Sequence, residues 1–120
     1  MWARVRAFVP ALAWAALVWF IGGLQHVPVT TYTSGLDKLA HFAMYGVLGW
    51  LCARGWLAGG GRGLAAVLIT LALLMGAADE WRQAQLTTRS AELADWLADA
   101  AGVLTGFYLA VLYARKRQRI

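Results

Sequence analysis

The chain has 120 residues, of which 61% are hydrophobic and 14% are charged, and its formal net charge is +5 at pH 7. This composition is too apolar for an ordinary soluble protein, and the length allows a single domain, which we place at residues 1–120. Seven Trp and four Tyr residues suit a membrane protein, because their rings favour sites that are apolar at one end and hydrated at the other.

The first predicted element is a membrane-spanning helix from Ala7 to Leu24, which follows Arg4 and Arg6. An apolar run of about 18 residues is long for the core of a signal peptide, and no small-x-small cleavage site follows it. Its length fits the hydrocarbon thickness of a bilayer instead. Pro10 falls in the first turn or two of this helix, where the missing N–H costs little.

A polar loop from Gln25 to Gly35 leads to the second predicted span, from Leu39 to Ala58. Cys52 lies within this apolar run and has no base near it in the sequence, so we interpret it as a small apolar filler. The single cysteine also excludes an internal disulfide. The glycine-rich stretch 59–63 then predicts a tight turn.

The third apolar run, from Leu64 to Ala78, is only about 15 residues long, which is too short to cross a bilayer. We therefore expect its helix to continue to about Gln83 or Gln85. The helix would then carry Asp79 and Glu80 into the membrane interface.

A fourth helix is predicted from Ala91 to about Ala114, with Ser90 as its N-cap. The spacing Gly102-x-x-x-Gly106 places two glycines on one face of this helix and allows another helix to approach closely. The predicted fold is therefore an all-α polytopic membrane protein with four transmembrane helices.

The distribution of charge predicts the orientation of these helices. Six acidic residues and three cations fall on one side of the predicted spans, and eight cations without an acid fall on the other. The positive-inside rule therefore places both termini in the cytoplasm and the acidic groups outside. We interpret the basic C-terminal tail as an orientation signal that touches anionic lipid, and we expect no nucleic-acid partner. The eight cations are Arg4, Arg6, Arg54, Arg62, Arg115, Lys116, Arg117 and Arg119.

Costly polar groups concentrate on the predicted outer side. Asp95 and Asp99 lie one turn apart, where like charges repel unless a cation lies between them, a metal binds, or one carboxyl stays protonated. Arg89 is the expected partner, since its planar fork suits two carboxylates or a phosphate. Asp37 and His41 also share a helical face and form a candidate proton-transfer pair.

Two alternatives remain at this point. His41 and several carboxylates could hold a metal, but no spacing is as diagnostic as His-Glu-x-x-His, so we predict no metal ligand and name no cofactor. The polar groups could also form a buried network that serves only the specificity of helix packing.

Three motifs follow one another between residues 37 and 106, more than half of the chain. They are Asp37-Lys38-x-x-His41-Phe42-x-x-Tyr45, then Asp79-Glu80-x-x-Gln83, then Arg89 with Asp95, Asp99 and Gly102. Together these motifs resemble those of the VanZ-like membrane proteins. The chain departs from the family's frequent aromatic-Val-Pro-Gly segment before the arginine, where it has Gln85-Leu86-Thr87-Thr88.

The resemblance implies a multi-pass protein of the bacterial cytoplasmic membrane, and the family's founding member is associated with resistance to the glycopeptide teicoplanin. We expect an outer-leaflet site that engages a membrane lipid or a lipid-linked cell-wall precursor. An enzyme that acts on a lipid headgroup or phosphate, and a small scaffold subunit of an envelope complex, are the alternatives. The predicted catalytic residues are Asp37, His41, Asp79 and Glu80. The predicted substrate-binding residues are Lys38, Tyr45, Gln83, Arg89, Asp95 and Asp99.

Overall fold

The computed structural model describes residues 1–23, 34–86 and 93–119; within these ranges, the side chains at 23, 34–37, 83 and 86 are not described. The described chain is helical apart from short turns and contains no strand, which confirms the all-α fold class. The helices are α1 (Trp2–Ala7), α2 (Val9–Gly23), α3 (Ser34–Leu57), α4 (Arg62–Leu86) and α5 (Leu93–Gln118).

The first predicted helix is interrupted near its start. α1 ends at Ala7, and α2 begins at Val9, one residue before Pro10. Proline has no N–H to donate to the carbonyl four residues earlier, so the series of helical hydrogen bonds is interrupted at Phe8 and a new helix starts. Pro10 therefore occupies the first turn of α2, where we expected it.

The remaining boundaries follow the predicted pattern closely. α4 continues to Leu86, so it carries Asp79 and Glu80 as expected. The turn between α3 and α4 includes Gly59, whose φ of 126° is a conformation that favours glycine. Gly63, predicted to lie in this turn, belongs to the start of α4 instead.

Opposite ends of the bundle carry opposite charges. A Cβ at Gly59 would lie 3.3 Å from Nε of Arg4, which puts the N-terminus beside the α3–α4 turn. Arg54, in the last turn of α3, and Arg62, at the start of α4, are at this end as well. We call it the basic end. The carboxylates of α4 and α5 lie toward the other end, as the sequence predicts.

Glycines allow α3 and α5 to pack with their backbones in contact, and this is the most extensive helix pair of the fold. A Cβ at Gly102 would overlap the carbonyl oxygen of Phe42, and a Cβ at Gly106 would overlap that of Gly46. The predicted close approach at Gly102 and Gly106 is therefore confirmed. Buried Tyr45, Leu48, Cys52, Val103 and Phe107 belong to the core of these two helices.

Within the described residues, three segments are long and apolar enough to cross a membrane: Trp2–Gly22, Arg62–Arg82 and Leu93–Gln118. Four transmembrane helices were predicted, and α3 does not meet the same criterion. α3 has sufficient length, with 24 residues, but Lys38, His41 and Arg54 make it more polar. Its central place explains the difference, because a helix surrounded by other helices exposes less of its surface to lipid.

Candidate functional site

Six side chains from three helices form a buried polar cluster in the part of the bundle opposite the basic end. Each of them is at most 6% exposed. Burial of so many polar groups is costly unless they are paired or used. The cluster consists of His41 and Tyr45 of α3, Asp79 and Glu80 of α4, and Asp95 and Asp99 of α5.

His41 and Asp99 link α3 and α5 within this cluster. Nδ1 of His41 lies 2.7 Å from Oδ1 of Asp99. A carboxylate in this position orients the imidazole and stabilises its protonated form, as in a general acid–base pair. The sequence suggested Asp37 as the partner of His41. Asp37 lies in α3, and its side chain is outside the described part of the structure.

The other carboxylate oxygen of Asp99, Oδ2, lies near Gly76 of α4. A Cβ at Gly76 of α4 would lie 3.2 Å from Oδ2 of Asp99, so this glycine leaves room for the carboxylate of α5. Oδ2 is buried and has no hydrogen-bond partner among the described residues. An unsatisfied carboxylate oxygen of this kind is costly in a buried site and is a natural contact for a ligand.

Asp95 and Asp99, for which the spacing predicts repulsion, meet different partners. Nζ of Lys38 lies 3.6 Å from Oδ1 of Asp95, while Asp99 bonds His41. The Lys38 side chain is 35% exposed, so this ion pair lies at the rim of the cluster. Two cationic or ionisable groups of α3 therefore accompany two carboxylates of α5.

Arg82 is a site residue that the sequence analysis missed. Its Nη2 donates to Oδ1 of Asp79 at 2.7 Å and to the carbonyl oxygen of Trp19 at 2.6 Å. Its guanidinium carbon also lies 3.7 Å from the centre of the Trp19 ring, a cation–π contact. The signal in the sequence was the spacing of three between Asp79 and Arg82 on one helix. The contact with α2 could not be seen there.

Tyr45 lies one turn beyond His41 on the same face of α3. Its side chain is completely buried, and Oη has no hydrogen-bond partner among the described residues. It interacts electrostatically with Asp79, Glu80 and Asp99, so its hydroxyl lies toward the carboxylates. The cluster therefore contains a second buried oxygen that is available to a ligand.

One imidazole and two carboxylates converge within the cluster. His41, Glu80 and Asp95 each offer a ligand atom, and these atoms lie within 4.8 Å of one another. The three residues come from three different helices, so no short motif could reveal the arrangement. The sequence predicted no metal ligands for this reason.

Three predicted site residues cannot be placed in the cluster; the first is Asp37, whose side chain is outside the described part of α3. Gln83 lies in α4, but its side chain is outside the described part of the chain. Arg89 lies in the segment 87–92, which the structure does not describe, as does the predicted N-cap Ser90. The expected contact of Arg89 with Asp79 or Asp95 stays a prediction.

An apolar groove of about 340 Å³ runs along the outside of the α3–α5 contact. Two of its lining residues are close in sequence to the cluster. Phe42 follows His41 in α3, and Gly102 comes shortly after Asp99 in α5. The residues that line it include Phe42, Gly46, Trp50, Gly102, Gly106 and Leu109.

Comparison with protein families gives a match to the family described as VanZ/LLP1 over residues 4–114. Comparisons with curated proteins and with solved structures give no match.

Proposed function

Because the chain belongs to the VanZ/LLP1 family and is a multi-pass membrane protein, we propose that it engages the headgroup of a membrane lipid or of a lipid-linked envelope precursor. The polar cluster receives this headgroup at the outer leaflet of the bacterial cytoplasmic membrane. By holding such a lipid, the protein changes the susceptibility of the cell surface to glycopeptide antibiotics.

The observation that carries this proposal is the pair of buried oxygens without partners. Oη of Tyr45 and Oδ2 of Asp99 lack hydrogen-bond partners among the described residues, although both side chains are at most 1% exposed. A headgroup with hydroxyl, amine or amide groups supplies the donors that satisfy them. Native proteins leave few such atoms unsatisfied, so a ligand accounts for both.

Lys38 supplies the complementary charge. Its ammonium group stands at the rim of the cluster beside Asp95 and is partly exposed. A phosphate at this rim would meet Lys38, while the donors of the same headgroup would meet the acidic interior. Arg89 is the second predicted phosphate contact, with the planar fork that suits two oxygens.

The groove supports a lipid as the ligand. It lies between α3 and α5 on the outside of the bundle, and Leu109, which lines it, is exposed. Because α5 is apolar and long enough to span a bilayer, this face of the bundle meets hydrocarbon. An acyl chain in the groove would leave its headgroup at the level of the neighbouring cluster.

Photochemical cross-linking in the membrane tests the proposal. A photoreactive phenylalanine analogue replaces Phe42, which lines the groove and is 36% exposed, and the lipids attached to it are identified by mass spectrometry. We expect one headgroup class to be enriched over its share of the membrane. The same analogue replaces Leu71, an exposed residue of α4 outside the groove, as the control.

At Leu71 the attached lipids should follow the bulk composition of the membrane. Lys38→Gln should reduce the enrichment at Phe42 without changing the attachment at Leu71. Equal lipid compositions at the two positions would contradict the proposal.

The pairing of His41 with Asp99 favours a second candidate function, an enzyme that acts on the headgroup or phosphate of the bound lipid. In this reaction class His41 serves as the general base and Asp99 orients it. Release of a headgroup or of phosphate from lipid vesicles by the purified protein would distinguish the enzyme from a binding protein. His41→Gln should abolish that release, since glutamine forms hydrogen bonds but does not transfer protons near neutral pH.

A further inference from the structure

The donor set of His41, Glu80 and Asp95 has the composition of a metal site. It offers one imidazole nitrogen and two carboxylate oxygens, all buried, within 4.8 Å of one another. Zn²⁺ binds such nitrogen and oxygen donors at about 2.0–2.2 Å, which holds them roughly 3.5 Å apart in a tetrahedral site.

The bond between His41 and Asp99 prepares the imidazole for this role. Nδ1 of His41 is engaged by Oδ1 of Asp99 at 2.7 Å, which makes Nε2 the nitrogen that ligates. Metal-binding histidines usually donate their other ring N–H to a carboxylate or carbonyl, which fixes the tautomer and the ring orientation. Asp99 has this relation to His41 and is not itself a ligand.

Tyr45 is also compatible with a metal-bound ligand in the cluster. Its side chain is fully buried, its Oη has no hydrogen-bond partner among the described residues, and it interacts with Glu80 and Asp99. A site with three protein ligands keeps an open coordination position for water or substrate. An oxygen bound in that position would offer a hydrogen-bond partner to the Tyr45 hydroxyl, which lies toward Glu80 and Asp99.

From these observations we propose that His41, Glu80 and Asp95 bind a divalent transition-metal ion, Zn²⁺ or Mn²⁺, which imidazole and carboxylate donors suit. The metal site does not depend on lipid binding, but a metal bound to Nε2 of His41 excludes the use of that nitrogen as a general base. A structural ion would join α3, α4 and α5 even if no lipid is bound.

Metal binding to the purified full-length chain in detergent tests this inference. The protein is stripped with a chelator, titrated with Zn²⁺ or Mn²⁺, and analysed for bound metal and for thermal unfolding. The wild type should bind about one ion per chain and unfold at a higher temperature when loaded. Glu80→Gln should weaken binding by about 10–100-fold or more, the loss typical of even a supporting residue.

Trp81→Phe is the matched control, because Trp81 follows Glu80 in α4 but is 68% exposed and lies outside the polar cluster. It should bind the ion with an affinity close to that of the wild type. Uptake by Glu80→Gln equal to that of the wild type would overturn the proposal, as would the absence of stoichiometric uptake by the wild type.

Mn²⁺ bound to the wild type gives a further measurement that needs no variant. Electron spin echo spectroscopy should detect coupling to the nitrogen of one imidazole. Bound Mn²⁺ without that coupling would overturn the assignment of His41 as a ligand, even if Glu80→Gln does not fold.

Discussion

His41 and Asp99 join the two central helices of the bundle, with Nδ1 of His41 at 2.7 Å from Oδ1 of Asp99. Both side chains are almost completely buried, so neither can exchange its partner for water. The contact therefore connects the stability of the α3–α5 pair with the chemistry of the polar cluster.

Replacement of Asp99 should show how much this contact stabilises the protein. Asp99→Ala leaves the His41 N–H without its acceptor and should lower the free energy of unfolding by about 1–3 kcal/mol. Asp99→Asn retains a carbonyl oxygen for the bond and should cost less. Thermal unfolding in detergent measures both variants. Equal stability of Asp99→Ala and the wild type would show that the contact contributes nothing to the fold.

Arg82 should be sensitive to replacement by lysine. Lysine keeps the charge, but it loses the planar group that contacts Asp79, the carbonyl of Trp19 and the Trp19 ring together. We expect Arg82→Lys to lower stability by about 1–3 kcal/mol, measured by unfolding in detergent. Arg62→Lys, at the exposed start of α4, is the control and should leave stability unchanged. Similar unfolding of the two variants would contradict this role of Arg82.

Gly106 should tolerate no side chain. Gly106→Ala places a methyl group against the carbonyl oxygen of Gly46 and should force α3 and α5 apart, at a cost of about 1–3 kcal/mol. Gly63→Ala is the matched control, because nothing lies within 4 Å of its Cβ position and alanine favours the helix. If unfolding measurements show that Gly106→Ala is more stable than Gly63→Ala, the close helix contact is not needed for stability.

Cysteine labelling tests the predicted orientation. In a Cys52→Ala background, single cysteines at Thr31 and Thr87 should react with an impermeant thiol reagent in intact cells. A cysteine at Gly61, next to the basic end, should not react, because the positive-inside rule places that end in the cytoplasm. Labelling confined to Gly61 would reverse the orientation and move the polar cluster to the cytoplasmic side.

Substitutions of Arg89 and His41 should distinguish a lipid-binding protein from an enzyme. Arg89→Lys keeps the charge and loses the fork that holds two oxygens of a phosphate, so we expect it to abolish activity while membrane insertion and stability stay nearly unchanged. His41→Gln should abolish activity only if a proton is transferred. Resistance to teicoplanin and release of headgroups are the readouts. Full activity of both variants would exclude the polar cluster as the working site.

Local sequence patterns predicted the helices and drew attention to several residues that are buried in the polar cluster. Long apolar runs, Pro10, the glycines near the α3–α4 turn and the sorting of charges are properties of short segments. Spacing within one helix also predicted that His41 and Tyr45 share a face, since side chains one turn apart lie together. Both residues are buried in the cluster, as this spacing implies.

The pairing of charges was decided by tertiary structure. His41 pairs with Asp99 of α5, and Asp79 pairs with Arg82. The side chain of Asp37, the expected partner of His41, is outside the described residues, so that pairing stays a prediction. A helical period determines which side chains share a face, but it does not determine which helix lies opposite or at what height. Here the glycine contacts between α3 and α5 set that height, so they bring His41 to Asp99 and assemble donors from three helices at one point.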